Sequence, residues 1–149
     1  KRQAYGLLQT MIDDIDTVIT DLNGVLMFGH DRLDPDQDYA ATYRALGGTA
    51  LSSDDVNAIV INAVGALSRF YTDRNFDERF PNVTKVLAQS ADLQTTEIDL
   101  LSNVIATHEM GVIERPTVEV LKHLSKSYKR VLLSNLWSNS LFWRRYFTK

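Results

Sequence analysis

No cysteine occurs in the 149 residues. That excludes disulfides and thiolate metal centres, and it suits a reducing, cytoplasmic setting. Proline is scarce, at three residues, and no stretch reads as a flexible linker, a low-complexity tract or an internal repeat. Positive charge is not gathered anywhere. The net charge is −3, and without a long basic run neither nucleic acid nor an anionic membrane surface is an expected partner. Apolar residues never run to the roughly 20 needed to span a bilayer. What the chain does have is 44% hydrophobic content, enough for one domain with a real core, or a core plus a small insert.

The stretch that organises the rest is Thr17 to Leu26, TVITDLNGVL. Thr17, Val18, Ile19 and Thr20 are all β-branched, a composition that predicts a strand buried on both faces. Asp21 ends the run, and Gly24 can take backbone angles closed to other residues in the turn that follows. An acid where a parallel strand meets its loop lies at the carboxyl edge of the sheet, the edge at which open α/β sheets bind ligands. The plainer alternative is a strand ending in an ordinary Asx turn. A second stretch, Lys129 to Trp137, reads KRVLLSNLW. Its apolar run ends in Ser134 and Asn135, two small hydrogen-bonding side chains. Two such strands would bring a carboxylate and an anion-binding hydroxyl together.

In these residues the chain resembles the haloacid dehalogenase (HAD) superfamily of hydrolases and phosphatases. Asp21, Gly24, Val25 and Leu26 match its first motif, and Ser134 with Asn135 match its second. The segment Gly111 to Leu124, GVIERPTVEVLKHL, is similar to the lead-in that the superfamily carries before the second motif. The resemblance implies an α/β fold, a Rossmann-like core of parallel strands (residues 1–33 and 111–149) interrupted by an all-helical cap (34–110). It implies Asp21 as nucleophile and magnesium ligand, with the backbone carbonyl of Asn23 as a second ligand. Gly24, Ser134 and Asn135 would hold the phosphoryl group of a small phosphorylated substrate. Magnesium is the implied cofactor.

Hydropathy patterning fills in the elements between. Ala4, Leu7, Leu8, Met11 and Ile12 recur at helical spacing before the first strand. Gly29 is placed to turn a small hairpin between Met27 and Leu33. Asp34-Pro35 predicts a helix start, with that helix running through Tyr43 to Gly47-Gly48. Ser52 or Ser53 caps the next helix, whose apolar stripe is Val56, Ile59, Val60, Ala63, Leu67 and Phe70. A short helix around Val83, Val86 and Leu87 follows Phe80-Pro81, and another opens at Thr95 or Thr96 with Ile98, Leu101, Val104 and Ile105 on one side. Pro116 starts a helix with Val118, Val120, Leu121 and Leu124 inward. Ser138 or Asn139 caps a last one, Leu141 to Tyr146.

Two departures from the superfamily pattern bear on chemistry. Asn23 stands where its phosphatases carry a second aspartate, the residue that protonates the leaving oxygen. An amide cannot shuttle a proton near neutral pH. Three readings are open: an impaired phosphatase, an altered chemistry such as that of the dehalogenases, or a degenerate site in a non-catalytic binding or assembly domain. Secondly, the superfamily's later motifs, a Lys and then an acidic pair, have no counterpart before Lys149. A two-stranded parallel sheet leaves faces and edges uncovered. Either a longer protein or a partner chain, a second copy included, is expected to complete it. Other residues carry no function on this reading. His30 is a loop histidine, His108 and Glu109 lack the spacing of a zinc helix, and His123 belongs to a surface helix. Asp13, Asp14 and Asp16 form a solvated turn. Trp137, Phe142, Trp143 and Tyr146 are core aromatics beside snorkelling Arg144 and Arg145.

Overall fold

A computed structural model describes residues 15–29, 31–72, 80–90 and 92–147. The expected helix before the first strand and the loop histidine His30 lie outside them. The elements run β1 (Thr17–Thr20), α1 (Tyr39–Ala45), α2 (Ser53–Thr72), α3 (Val83–Ser90), α4 (Thr95–Glu109), α5 (Arg115–Leu124), β2 (Lys129–Leu132) and α6 (Ser140–Phe147). The chain is mostly helical with one small parallel sheet, an α/β arrangement. It divides into two compact units, Lys1–Phe28 with Gly111–Ser134, and Gly29–Met110 with Asn135–Lys149. Among the described residues no helix is long and apolar enough to cross a membrane.

In the strand unit, β1 and β2 pair in parallel with Thr17 opposite Lys129 and Thr20 opposite Leu132. Parallel neighbours need a crossover, and here the whole helical unit and α5 lie between them in sequence. The ladder continues one step past the strands, where the Leu133 N–H donates to the Thr20 carbonyl at 3.0 Å. Burial on both faces, which the β-branched run predicts, is not found. Ile19 is 63% exposed and Leu133 is 70% exposed. β-branched residues suit a pleated surface but do not by themselves supply a layer to cover it. The same correction applies to α5, where no residue is fully buried and Val120 faces solvent. What anchors this unit is Leu22 and Met27, both fully buried.

The helical unit carries the core. In α2, Val56, Val60, Ala63, Val64 and Leu67 repeat at one-turn intervals and are buried, the stripe a helix presents to its neighbours. They pack with Tyr39 and Tyr43 of α1, Val83 and Leu87 of α3, and Leu101, Val104 and Ile105 of α4 in one cluster. Caps fix several starts. The Ser52 hydroxyl accepts from the Asp55 N–H and donates to its carboxylate at 2.6 Å, a reciprocal cap. Asn82 accepts from the Thr84 N–H at 2.9 Å, and Asn139 from the Leu141 N–H at 2.8 Å.

One boundary differs from expectation. The first helix begins at Tyr39, not at Asp34, because Asp38 caps it by accepting from the Ala41 N–H at 2.9 Å. The Tyr39 hydroxyl donates to the Asp34 carbonyl, which holds 34–37 as a turn ahead of the helix. Nor is the expected hairpin over 27–33 seen among the described residues. Phe28 exchanges backbone bonds with Val112 in the strand unit. In the helical unit, the Asp31 and Arg32 N–H groups donate to the Glu109 and His108 carbonyls.

Candidate functional site

At the carboxyl end of β1 the chain wraps around a single carbonyl. The Leu22 C=O accepts from the N–H groups of Leu26 and Met27, each at 2.9 Å. Gly24 makes the reversal with φ at +74°, a left-handed conformation that penalises residues with a Cβ. Its own N–H is bonded to the Met27 carbonyl at 2.9 Å. The turn is pinned from below by the buried Leu22 and Met27 side chains. Asp21 is left at its rim with an exposed side chain.

Ser134, one residue past the last ladder bond of β2, meets it there. Its hydroxyl donates to Asp21 Oδ1 at 2.7 Å, and the same oxygen accepts from the Leu22 N–H at 2.6 Å. Asp21 and Ser134 are 113 residues apart in sequence, and strand register brings them together. Both bonds are donated to the same oxygen and fix the orientation of the side chain. The result is an exposed, oriented carboxylate beside a hydroxyl that can turn to another acceptor.

The other sequence-selected residues are placed differently. Asn23 pairs through its backbone with Met27 in an isolated bridge. Its Oδ1 is buried and accepts no hydrogen bond among the described residues. An unsatisfied buried acceptor is uncommon and costs about 1–3 kcal/mol. Asn135 belongs to the helical unit and is exposed.

Whether magnesium suits these groups can be judged from their donors. The ion takes oxygen ligands, keeps several waters, and is commonly bound by one or two carboxylates plus substrate phosphate. Asp21 offers one carboxylate. No group of three or more His, Asp or Glu that could hold a metal occurs among the described residues. A single carboxylate of this kind suits a largely hydrated ion shared with a phosphate.

A second cluster, set aside on sequence, lies in the helical unit. Glu109 ends α4 and is 2% exposed. Its Oε1 accepts from the Trp137 N–H at 2.7 Å, and its Oε2 accepts from the Ser138 N–H at 3.1 Å and from the Ser138 hydroxyl. The Trp143 indole N–H donates to that hydroxyl oxygen at 2.7 Å. Burial pushes the Glu109 carboxyl above the ordinary glutamate value, against the opposing pull of these donors. The signal in the sequence was a carboxylate in the last turn of a helix, the end that the macrodipole makes unfavourable for negative charge.

The neighbouring His108 is buried too, with Nε2 at 2.9 Å from the Thr42 hydroxyl and Nδ1 at 3.2 Å from the Arg32 carbonyl. A carbonyl only accepts, so Nδ1 carries the proton and Nε2 accepts from Thr42. Burial holds this imidazole below its usual value. No known protein family, curated protein or solved structure matches the chain.

Proposed function

We propose that Asp21 is the nucleophile of a HAD-like, magnesium-dependent hydrolase acting on a small phosphorylated metabolite. The observation that supports this reading is the 2.7 Å bond from the Ser134 hydroxyl to Asp21 Oδ1, which joins the two matched motifs at one end of a parallel pair. In the first step a carboxylate oxygen of Asp21 attacks phosphorus, the bond from phosphorus to the leaving oxygen breaks, and an aspartyl-phosphate forms. The Ser134 hydroxyl donates to a phosphoryl oxygen as charge builds there. In the second step water attacks phosphorus, the bond to the Asp21 oxygen breaks, the water's proton passes to solvent, and inorganic phosphate leaves with the carboxylate restored. The Asp21 carboxylate and the Asn23 backbone carbonyl would hold magnesium, which offsets the repulsion between carboxylate and phosphate.

Asn23 sets the rate. It cannot protonate the leaving oxygen, and general acid–base catalysis is worth about 10²- to 10⁴-fold. Esters whose leaving group needs no proton are accordingly the favoured substrates, and p-nitrophenyl phosphate is the apt probe. With magnesium present, turnover that disappears in Asp21→Ala is the expected result. Asn23→Asp should raise turnover of a poor leaving group by up to that factor. Absence of turnover in both the native protein and Asn23→Asp would refute the proposal. It would favour the second reading, a non-catalytic HAD-like binding or assembly domain, to which Asn23 also lends support. Chloride release from a 2-haloacid would instead indicate dehalogenase-type chemistry at Asp21.

A further inference from the structure

The two faces of the β1–β2 pair are not served alike. Alternate residues of a strand share a face, so Thr17 and Ile19 stand with their register partners Lys129 and Val131 on one side. Leu133 follows in the same alternation, and Ile15 precedes it just ahead of β1. On this side Ile15, Ile19 and Leu133 are 49%, 63% and 70% exposed. The other side carries Val18, Thr20, Arg130 and Leu132. There the Arg130 guanidinium donates to the Leu121 carbonyl of α5 at 3.2 Å. One face thus has a helix beside it, while the opposite face lies open along an apolar row. Sheets of parallel strands are as a rule covered by helices on both faces.

We propose that residues 1–14 cover this open face as an amphipathic helix docked on Ile15, Ile19 and Leu133. Pattern, length and attachment all name this occupant. Ala4, Leu7, Leu8, Met11 and Ile12 recur at helical spacing, the apolar stripe by which a helix packs on its neighbour. Three turns of helix are about 16 Å long, against about 13 Å for a four-residue strand, so one such helix spans the pair lengthwise. The segment joins the sheet directly at Ile15. Asp13 and Asp14 supply the short polar connection by which a helix turns into the strand after it.

Charge agrees with this placement. Lys129 is exposed on the same face, opposite Thr17, at the end of the sheet where the acidic connection arrives. In water a helix this short is marginal, and Gly6 within it weakens it further. The stripe and the open face therefore stabilise each other, and neither is satisfied alone. A second copy of the chain would also bury the row, but it leaves unexplained an amphipathic segment joined straight to that face. The docking stands whether or not Asp21 is a nucleophile.

The chain has no cysteine, so introduced thiols report without background. Leu8→Cys combined with Leu133→Cys, treated with a short bismaleimide at low protein concentration, should give a cross-linked monomer. Gln9→Cys combined with Leu133→Cys puts the first thiol on the polar side of the helix and should give several-fold less. In a second measurement, Leu8→Asp should bare the face and raise the fluorescence of the apolar dye ANS several-fold, while Gln9→Asp leaves it at the native level. Equal cross-linking of the two pairs, a product of dimer mass, or no dye response to Leu8→Asp would each overturn the docking. The dimer product would assign the face to a second copy instead. Should a cysteine pair fail to fold, the dye comparison between the two aspartate variants still decides.

Discussion

Gly48 lies against the flat of a buried ring, and Gly48→Ala is the sharpest test of how the helical unit is packed. A Cβ at this position would fall under 3.0 Å from the Tyr43 ring carbons Cε1, Cε2 and Cζ. Tyr43 cannot swing clear easily. It is 1% exposed, its hydroxyl donates to the Glu97 carboxylate, and it accepts from the Leu51 N–H at 3.4 Å. Restoring van der Waals distance requires a ring shift of about 1 Å, which strains both bonds. Overpacking costs about 1–3 kcal/mol, and weakened hydrogen bonds add about 1 kcal/mol. A total of about 2–4 kcal/mol corresponds, for a chain of this length, to a fall in Tm of roughly 5–15 °C. Thermal unfolding followed by circular dichroism measures it. The comparison that isolates the cause is Gly48→Ala in a Tyr43→Leu background, where a smaller side chain relieves the overlap. There the penalty should shrink by about 0.5–3 kcal/mol, the range of coupling between residues in contact. An unchanged Tm in the single variant, or equal losses in both backgrounds, would refute the packing argument.

Three further outcomes follow from the geometry. His108 is held neutral by burial, so the unfolded chain takes up a proton that the folded one refuses. Its contribution is intact above the ordinary value of 6.5 and is lost as pH falls through the depressed folded value. Denaturant midpoints between about pH 7 and about pH 5 should drop in the native protein and drop less in His108→Gln. Gly24→Ala meets no neighbouring atom within 4 Å, so its penalty is backbone strain alone, about 1–2 kcal/mol. Urea unfolding should register this loss, and a neutral result would mean that the turn does not need its left-handed residue. Ser134→Ala removes a donor from Asp21 and, on the proposed chemistry, from the transition state. A loss in kcat of about 10²-fold is expected with p-nitrophenyl phosphate, and a change confined to KM would contradict that role.

Much of the local architecture is legible from side chains alone. Ser52 and Asn139 announce helix starts because a short polar side chain has one good use there, and each is found capping. The β-branched run 17–20 forms its strand. Asp34-Pro35 reads as the start of α1, yet Asp38 takes that place, because the bond from Tyr39 to the Asp34 carbonyl holds the earlier residues as a turn. What no local pattern encodes is whether a strand face receives a covering layer, which is why Ile19 lies exposed although its run predicts burial. Of the candidate site, Asp21 and Ser134 were found as a pair because each ends an apolar run. Glu109 is not legible as a site because its partners, Trp137 and Ser138, lie 28 and 29 residues further on.

The backbone bonds from Asp31 and Arg32 to the carbonyls of Glu109 and His108 have a kinetic meaning. They clip together the two ends of the helical unit, whose helices can form locally before distant strands pair. Once that clip has closed, β1 and β2 no longer search across the full intervening chain. The effective span between them shortens roughly threefold, which removes about 1 kcal/mol of loop-closure entropy from the late step. The helices should thus organise first, with strand pairing and the meeting of Asp21 with Ser134 arriving as the final event of folding.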